Sequence, residues 1–255
     1  MPPSGPRRDP SLDAGVPPRA APPPAPPRQR WRLFVAVPAQ PGAAGVEAAP
    51  TRSWPALLST SGLPIAGEGA GRSRVVTAAP LPVGVAGERE VVDLYLVERL
   101  PARTVRAAVA AALPAGHSLV DLQDVWVGAP SAPAAVVAAD YRVLLAGSPR
   151  WVVEGAVLAL LGAATLPRER RREKKTTVYD LRPLILGLAV RASDRSGVTL
   201  AMRLRHTSDA IGRPDEVVAA LGEPPAPPPP SPLVARSTVR ERIVMADEPD
   251  ASHVG

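Results

Sequence analysis

The order strand, helix, strand, strand, helix, strand can be read twice along this chain, first across Trp31 to Val127 and again across Tyr141 to Val244. This order of elements is that of the ferredoxin-like βαββαβ unit. The sequence therefore predicts an α+β protein made of two tandem ferredoxin-like units with antiparallel sheets. Two such units side by side would form a cradle suited to binding.

Proline-rich segments mark the boundaries of the two units. Residues 1–29 are dominated by Pro, Ala and Arg, a composition that cannot bury enough apolar surface to offset the entropy lost on ordering. We expect a disordered arm there, followed by unit 1 at 30–130 and unit 2 at 140–245. Within unit 2, a proline-rich spacer at 223–232 precedes the last strand. The tail 246–255 is expected to fray.

One strand of unit 1 shows its two faces in the sequence. Glu90 to Val97 alternates between apolar residues and a mixed set of side chains, as a half-buried strand does. The mixed face includes Asp93. The fully apolar face, which we expect to point into the core, consists of Val92, Leu94 and Leu96.

In unit 2 the pattern predicts a very hydrophobic helix over Trp151 to Leu161 and a long strand over Thr176 to Ala192. A charged connector, Arg168 to Lys175, separates them. The turn Ser193 to Gly197 has the Asp and Gly residues typical of a β-hairpin. The last helix is predicted over Asp215 to Leu221, with Pro214 at its start.

Composition excludes several classes of site. The sequence contains no cysteine, so this chain can form no disulfide, thiolate nucleophile, cysteine-ligated zinc site or cysteine-held iron–sulfur cluster. The formal net charge is +6, and the basic residues are almost all arginine. Arginine recognises phosphate through bidentate contacts, but a GC-rich genome also enriches arginine, alanine and proline regardless of function. Both explanations fit the composition.

Neither a membrane-spanning helix nor a secretory signal is predicted. No apolar stretch reaches the length needed to cross a bilayer, and Arg7 and Arg8 are not followed by an apolar run. We therefore expect a cytoplasmic protein with no membrane partner.

Candidate catalytic residues are few. Glu88, Glu90 and Asp93 form a compact acidic group that could bind a cation or transfer protons, although such residues are also common as solvated strand edges or partners of arginine. His206 is the remaining weak candidate, and a solvated hairpin end is the alternative. The three histidines are far apart in sequence, so no metal site is predicted.

Candidate anion-binding residues cluster in the charged connector. Several closely spaced cations can displace counterions from a nucleic-acid backbone, and the alternative is a charge-laced helix extension. We add Arg213 to this group. A positive charge at a helix start interacts unfavourably with the helix dipole, so an arginine there suggests another role, such as binding a phosphate or a partner. Asp180 and Arg182 share one side of a strand and are expected to be structural. The connector cations are Arg168, Arg170, Arg171, Arg172, Lys174 and Lys175.

Four short segments carry a resemblance to a known family. They are Leu81-Pro82-Val83-Gly84-Val85 followed by Glu90 and Asp93, then Asp180-Leu181-Arg182-Pro183-Leu184-Ile185, then Arg213-Pro214-Asp215-Glu216-Val217-Val218, and finally Arg236-Ser237. In this order they resemble the radical SAM-linked protein family, a bacterial domain of unknown function that is fused to a radical SAM protein or encoded as its companion. The resemblance covers about Arg30 to Val239. Polar motifs of the family are missing from Gly45–Trp54 and Glu68–Arg74, so unit 2 is better preserved than unit 1.

The resemblance implies a non-catalytic accessory or substrate-binding module that works with a radical SAM enzyme. Basic charge and the duplicated cradle suggest RNA or another anionic substrate. No cofactor is expected in this chain, and S-adenosylmethionine and an iron–sulfur cluster would belong to the partner. One alternative is an RNA- or nucleotide-processing enzyme in its own right. The other is a structural protein-interaction module whose proline-rich arms bind the partner.

Overall fold

The computed structural model describes residues 25–39, 54–67, 73–172, 175–223, 233–246 and 248, with the backbone alone described for 170–172 and 175. Most of the predicted arm, the proline-rich spacer from 224 onward and most of the predicted tail lie outside these residues. Lys174 lies outside them as well.

The described part of the chain contains ten strands and five helices. In chain order they are β1 Gln29–Val37, α1 Trp54–Leu58, β2 Val75–Thr77, β3 Val85–Leu96, α2 Ala102–Ala112, β4 Ser118–Val125, α3 Ala132–Ala135, β5 Val136–Ala146, α4 Arg150–Gly162, β6 Pro167–Arg172, β7 Lys175–Asp180, β8 Ile185–Asp194, β9 Gly197–Arg205, α5 Pro214–Leu221 and β10 Val234–Met245. Short 3₁₀ turns follow α1 and precede β8.

Eight strands form one sheet in the order β4-β1-β3-β10-β5-β9-β8, with β2 paired to the free part of the β3 edge. Neighbouring strands in this sheet run antiparallel except β3 and β10, which run parallel. The protein is thus a mixed α+β structure with a mostly antiparallel sheet, as the sequence predicts at that level. The domain boundaries at 30–130 and 140–245 stay a prediction.

One edge of β3 is shared between two neighbours, and this sharing joins the two halves of the sheet. β2 pairs with β3 at Val92 to Leu94, and β10 pairs with β3 at Val85 to Gly87 through its residues Thr238 to Arg240. Because β10 also pairs along its length with β5, the last strand of the chain connects the first half of the fold to the second.

The buried core divides into two large clusters under the helices. In the first half, Val92, Leu94 and Leu96 of β3 pack with residues of β1 and α2, which confirms the core face predicted for this strand. In the second half, Val153 and Val157 of α4 pack against β5, β8, β9 and α5. None of the described helices combines the length and apolar character that crossing a bilayer requires.

A third cluster lies on the opposite face of the first half. Phe34 of β1 and Val91 of β3 are buried there beneath α3 and the end of β10. The same face of the second half carries ion pairs instead: Asp140 pairs with Arg203 at 2.7 Å and with Arg242 at 2.8 Å. One side of the second half of the sheet is therefore charged and cross-linked by ion pairs.

The chain departs from the predicted elements between α4 and β8. The described residues of the predicted connector Arg168–Lys175, which are 168–172 and 175, belong to an antiparallel pair of strands, β6 and β7, that is separate from the main sheet. The long strand predicted over Thr176–Ala192 is broken at Leu181, because Pro183 cannot donate to a strand ladder and a 3₁₀ turn forms there. β5 also begins at Val136, before the predicted start of the second unit.

The predicted hairpin between β8 and β9 is confirmed. β8 ends at Asp194 and β9 begins at Gly197, and the Asp194 carboxylate accepts a hydrogen bond from the Ser196 amide at 2.7 Å. Gly197 has a φ of 140°, and a Cβ there would collide with the Leu145 carbonyl of the neighbouring strand. Glycine is therefore required at this turn.

Candidate functional site

A cavity of about 530 Å³ lies between the start of β3 and the start of α5, where the two halves of the fold meet. One wall is the segment Pro80 to Val85 and the other is Ile211 to Asp215. The floor consists of Tyr141, His206, Thr238 and Arg240. Segments that lie far apart in sequence, and that carry the resemblance described above, thus enclose one space.

The first wall is a proline-rich turn that enters β3. The Val85 amide donates a hydrogen bond to the Pro82 carbonyl at 3.2 Å, and Gly84 has a φ of 78°. A left-handed residue at this position of a turn favours glycine. The sequence Pro82-Val83-Gly84-Val85 therefore fixes the shape of this wall.

The second wall depends on a close approach of the chain between β9 and α5. His206 and Ile211 pair as an isolated bridge, and the Gly212 amide donates to the Arg205 carbonyl at 2.9 Å. A Cβ on Gly212 would lie only 3.1 Å from the Leu184 carbonyl oxygen. The absence of a side chain at Gly212 lets the chain pass here and places Arg213 at the cavity.

The floor is held by a buried ion pair between β3 and β10. The Arg240 guanidinium has no exposed surface, and Glu90 is 2% exposed. Arg240 Nε donates to Glu90 Oε1 at 2.8 Å, and Nη2 contacts Oε2. Nη1 and Nη2 also donate to the carbonyls of Pro80 and Ala79, both at 3.1 Å. Arg240 thereby ties the first wall to the floor.

Tyr141 lies opposite Arg240 on the neighbouring strand β5. Burial raises the pKa of Tyr141 above its ordinary value, and the nearby positive charge of Arg240 opposes this rise. Burial by itself would lower the pKa of Arg240, but the hydrogen bond and the charge of Glu90 outweigh burial and raise it. Both groups keep their ordinary charge states near neutral pH.

His206 is a neutral imidazole in the cavity floor. Burial, and to a smaller extent the positive charge of Arg240, lowers the pKa of His206 to about 4. Its Nδ1 is buried and has no hydrogen-bond partner among the described residues. An unpaired acceptor costs less than an unpaired N–H, so the proton belongs on Nε2. His206 can therefore donate one hydrogen bond from Nε2, but it is a poor base.

Arg213 and Asp215 stand at the mouth of the cavity. Both side chains are exposed, and neither makes a hydrogen bond or ion pair to another residue of the described chain. Asp215 and Tyr141 line the same cavity, and the charge of Asp215 adds to the raised pKa of Tyr141. The mouth thus offers one cation and one anion for recognition.

The other two carboxylates of the predicted acidic group lie outside the cavity and are already paired. Asp93 is fully buried, contacts Arg32 at 2.9 Å and Arg30 at 3.1 Å, and accepts the Ala132 amide at 2.8 Å. Glu88 is exposed and pairs with Arg142 at 2.5 Å. The structure therefore does not bring Glu88, Glu90 and Asp93 together as one site. Their contacts favour structural roles.

The predicted anion-binding cations separate into two places. Arg213 is at the cavity, whereas Arg168, Arg170, Arg171, Arg172 and Lys175 lie on the hairpin of β6 and β7. The Arg168 guanidinium pairs with Glu223 at 3.1 Å.

Asp180 and Arg182 brace the base of that hairpin. The Asp180 carboxylate accepts the Leu166 amide at 2.7 Å and the Arg182 amide at 3.0 Å. The Arg182 guanidinium donates to the Leu161 carbonyl at 3.0 Å. Each side chain thus holds backbone groups, and the described contacts include no ion pair between the two.

Sequence reasoning missed Arg240 and Tyr141 as site residues. Arg240 is followed by Glu241 and Arg242 in the last described strand, so its surroundings in the sequence do not mark it as buried. Its partner Glu90 is 150 residues away, and sequence spacing gives no means to pair them. No cluster of three or more potential metal ligands occurs among the residues with described positions.

A family model described as an uncharacterized protein conserved in bacteria (DUF2344) matches residues 71–214, which is more than half of the chain. The match includes the first wall of the cavity and most of the second. No curated protein matches the sequence.

Replacing Glu90 by Gln should destabilise the fold far more than replacing Glu88 by Gln. Glu90→Gln leaves the buried Arg240 charge without its counterion, which costs about 3–5 kcal/mol, whereas the exposed Glu88–Arg142 pair is worth about 1 kcal/mol or less. Urea unfolding of the two variants measures the difference. Equal effects on the free energy of unfolding would contradict the role given to this buried pair.

The low pKa of His206 predicts a specific dependence of stability on pH. The unfolded chain takes up a proton on His206 near pH 6.5, but the folded chain does so only near pH 4. Stability from this group is full above pH 6.5 and is lost as the pH falls toward 4. Between pH 7.5 and 5 the wild-type free energy of unfolding should fall by roughly 2 kcal/mol more than that of His206→Gln. Equal losses would show that His206 titrates normally.

Proposed function

This chain belongs to that bacterial family of uncharacterized proteins, and we propose that it is a non-catalytic substrate-binding module that works with a radical SAM enzyme. The observation that carries the proposal is the cavity, because segments from both halves of the fold converge on it while Glu90 and Asp93 are held in buried ion pairs. A site of about 530 Å³ has the size of a small-molecule pocket.

We also interpret the sheet as two ferredoxin-like units joined edge to edge. The first half supplies β4, β1, β3 and β2 in neighbouring positions, and the second half supplies β10, β5, β9 and β8 in the corresponding order. Each set is antiparallel, and each carries its two main helices on one face. This repetition supports a duplicated architecture with the cavity at the junction.

The protonation state of the cavity supports binding over catalysis. A general base works best when its pKa lies near the working pH, and His206, with a pKa of about 4, is too weakly basic for that role near neutrality. The Arg240 guanidinium is held by Glu90 and by two backbone carbonyls. These groups are suited to fixing the shape of a pocket and donating a hydrogen bond.

The radical SAM partner rests on the sequence resemblance. Because the 255 residues contain no cysteine, an iron–sulfur cluster would have to be held by cysteines of another chain. In that arrangement the present chain holds a substrate, and the partner supplies S-adenosylmethionine chemistry.

RNA is the second candidate substrate, and the hairpin of β6 and β7 favours it. Strand pairing places Arg168, Arg170 and Arg172 at alternate positions of one strand, with Lys175 opposite Arg172. Closely spaced cations of this kind give sequence-independent affinity for a phosphate backbone. The hairpin is separate from the cavity, so an RNA could be held by one site while a single residue or group is recognised by the other.

Anaerobic purification of the affinity-tagged full chain from its native bacterium tests the partnership. We expect a radical SAM protein to be retained, recognised by its cluster absorbance and by its sequence in mass spectrometry. The same chain lacking residues 1–28 should retain it equally, because the proposal does not involve the arm.

Two results would contradict the proposal. Loss of the partner on deletion of residues 1–28 would favour an interaction module that binds through its proline-rich arm. No radical SAM protein in the purified complex would remove the partnership altogether.

A further inference from the structure

The mouth of the cavity carries two opposite charges that lie two residues apart at the start of α5. Arg213 is the residue before α5, and Asp215 lies in the first turn of this helix. Both are exposed and line the cavity, and no ion pair within 4.0 Å links either side chain to another described residue. Their side chains are therefore available to a bound molecule.

The remaining charges around the cavity cancel. The positive charge of Arg240 is neutralised by Glu90, and its N–H groups donate to Glu90 and to the carbonyls of Ala79 and Pro80. His206 is neutral in the folded chain. The site as a whole is therefore close to electrically neutral, which does not favour a multiply charged anion such as a phosphate ester.

The start of α5 does not alter this balance in favour of an anion. Pro214 occupies the first helical position and has no N–H to offer, and the first turn carries Asp215 and Glu216. Acidic side chains already complement the positive end of the helix dipole. An anionic group would gain from Arg213 but would be repelled by Asp215.

The rest of the cavity lining is mostly apolar. It includes Pro82 and Val83 on one side and Ile211 and Pro214 on the other, together with the ring of Tyr141. An apolar body that fills this space is removed from water, and burial of apolar surface favours binding. His206 Nε2 and the Thr238 hydroxyl provide the remaining hydrogen-bonding groups.

We infer that the cavity binds a small zwitterion of the amino-acid type, with its carboxylate at Arg213, its ammonium group at Asp215 and its apolar side chain between the two walls. This inference rests on the proposed function, since it names the substrate class of the same site. Each charged contact is stronger than a neutral hydrogen bond, and a ligand with both charges gains two of them.

L-Phenylalanine, N-acetyl-L-phenylalanine and L-phenylalaninamide test this inference because they share one apolar body and differ in charge. Isothermal titration of the full chain should show that the free amino acid binds at least about tenfold more tightly than either blocked form. Arg213→Gln should remove the preference for the free amino acid over the amide. Asp215→Asn should remove its preference over the acetylated form. Arg195→Gln, at the distant hairpin turn, is the matched control and should change nothing.

Equal or tighter binding of N-acetyl-L-phenylalanine would overturn the inference in favour of a simple anion site, and no binding of any of the three would overturn it as well. The partnership with a radical SAM protein is measured separately by retention of the partner, which Arg213→Gln and Asp215→Asn should leave intact. A failed titration with the partner retained therefore rejects the zwitterion alone.

Discussion

The Arg240 guanidinium is a positive charge with no exposed surface, and the junction of the two halves is arranged around it. It joins β10 to Glu90 of β3 and to the carbonyls of Ala79 and Pro80. A buried charge is tolerated only when its partners are all in place. The geometry of the parallel pairing between β3 and β10, and of the wall that leads into β3, is therefore constrained by one side chain.

The same buried contacts help to position the two walls of the cavity. The Arg240 guanidinium donates hydrogen bonds to the carbonyls of Ala79 and Pro80 in one wall. The lack of a side chain at Gly212 lets the opposite wall lie close to β9. Side chains at the mouth, Arg213 and Asp215, are left without partners in the described part of the chain. The buried polar residues stabilise the fold, whereas the charged residues at the mouth and the apolar walls are accessible to a ligand.

Local chemistry made much of the fold predictable from the sequence. The alternation of β3, the Asp and Gly residues of the turn between β8 and β9, and Pro214 at the start of α5 each act within a few residues of where they stand. The basic hairpin was not predicted, because a run of charged residues has no apolar alternation to mark its strands. Charge alone is compatible with a helix, a loop or a strand.

The candidate site was only partly predictable, for a different physical reason. Arg213 and His206 stood out by residue type, but Glu90 pairs with Arg240 across 150 positions and Tyr141 joins them from a third strand. Such contacts depend on strand order, and strand order is a property of the whole sheet. Glu90 and Asp93 looked alike in the sequence, yet they lie in two separate ion-pair networks.

Amide chemical-shift mapping of the ¹⁵N-labelled full chain during titration with L-phenylalanine tests most directly whether both halves form one recognition site. The cavity predicts that the largest shifts fall together in two segments, Leu81 and 83–85 on one wall and 211–213 with Asp215 on the other. Shifts confined to one half of the fold, or to the hairpin of β6 and β7, would contradict a shared site at the junction.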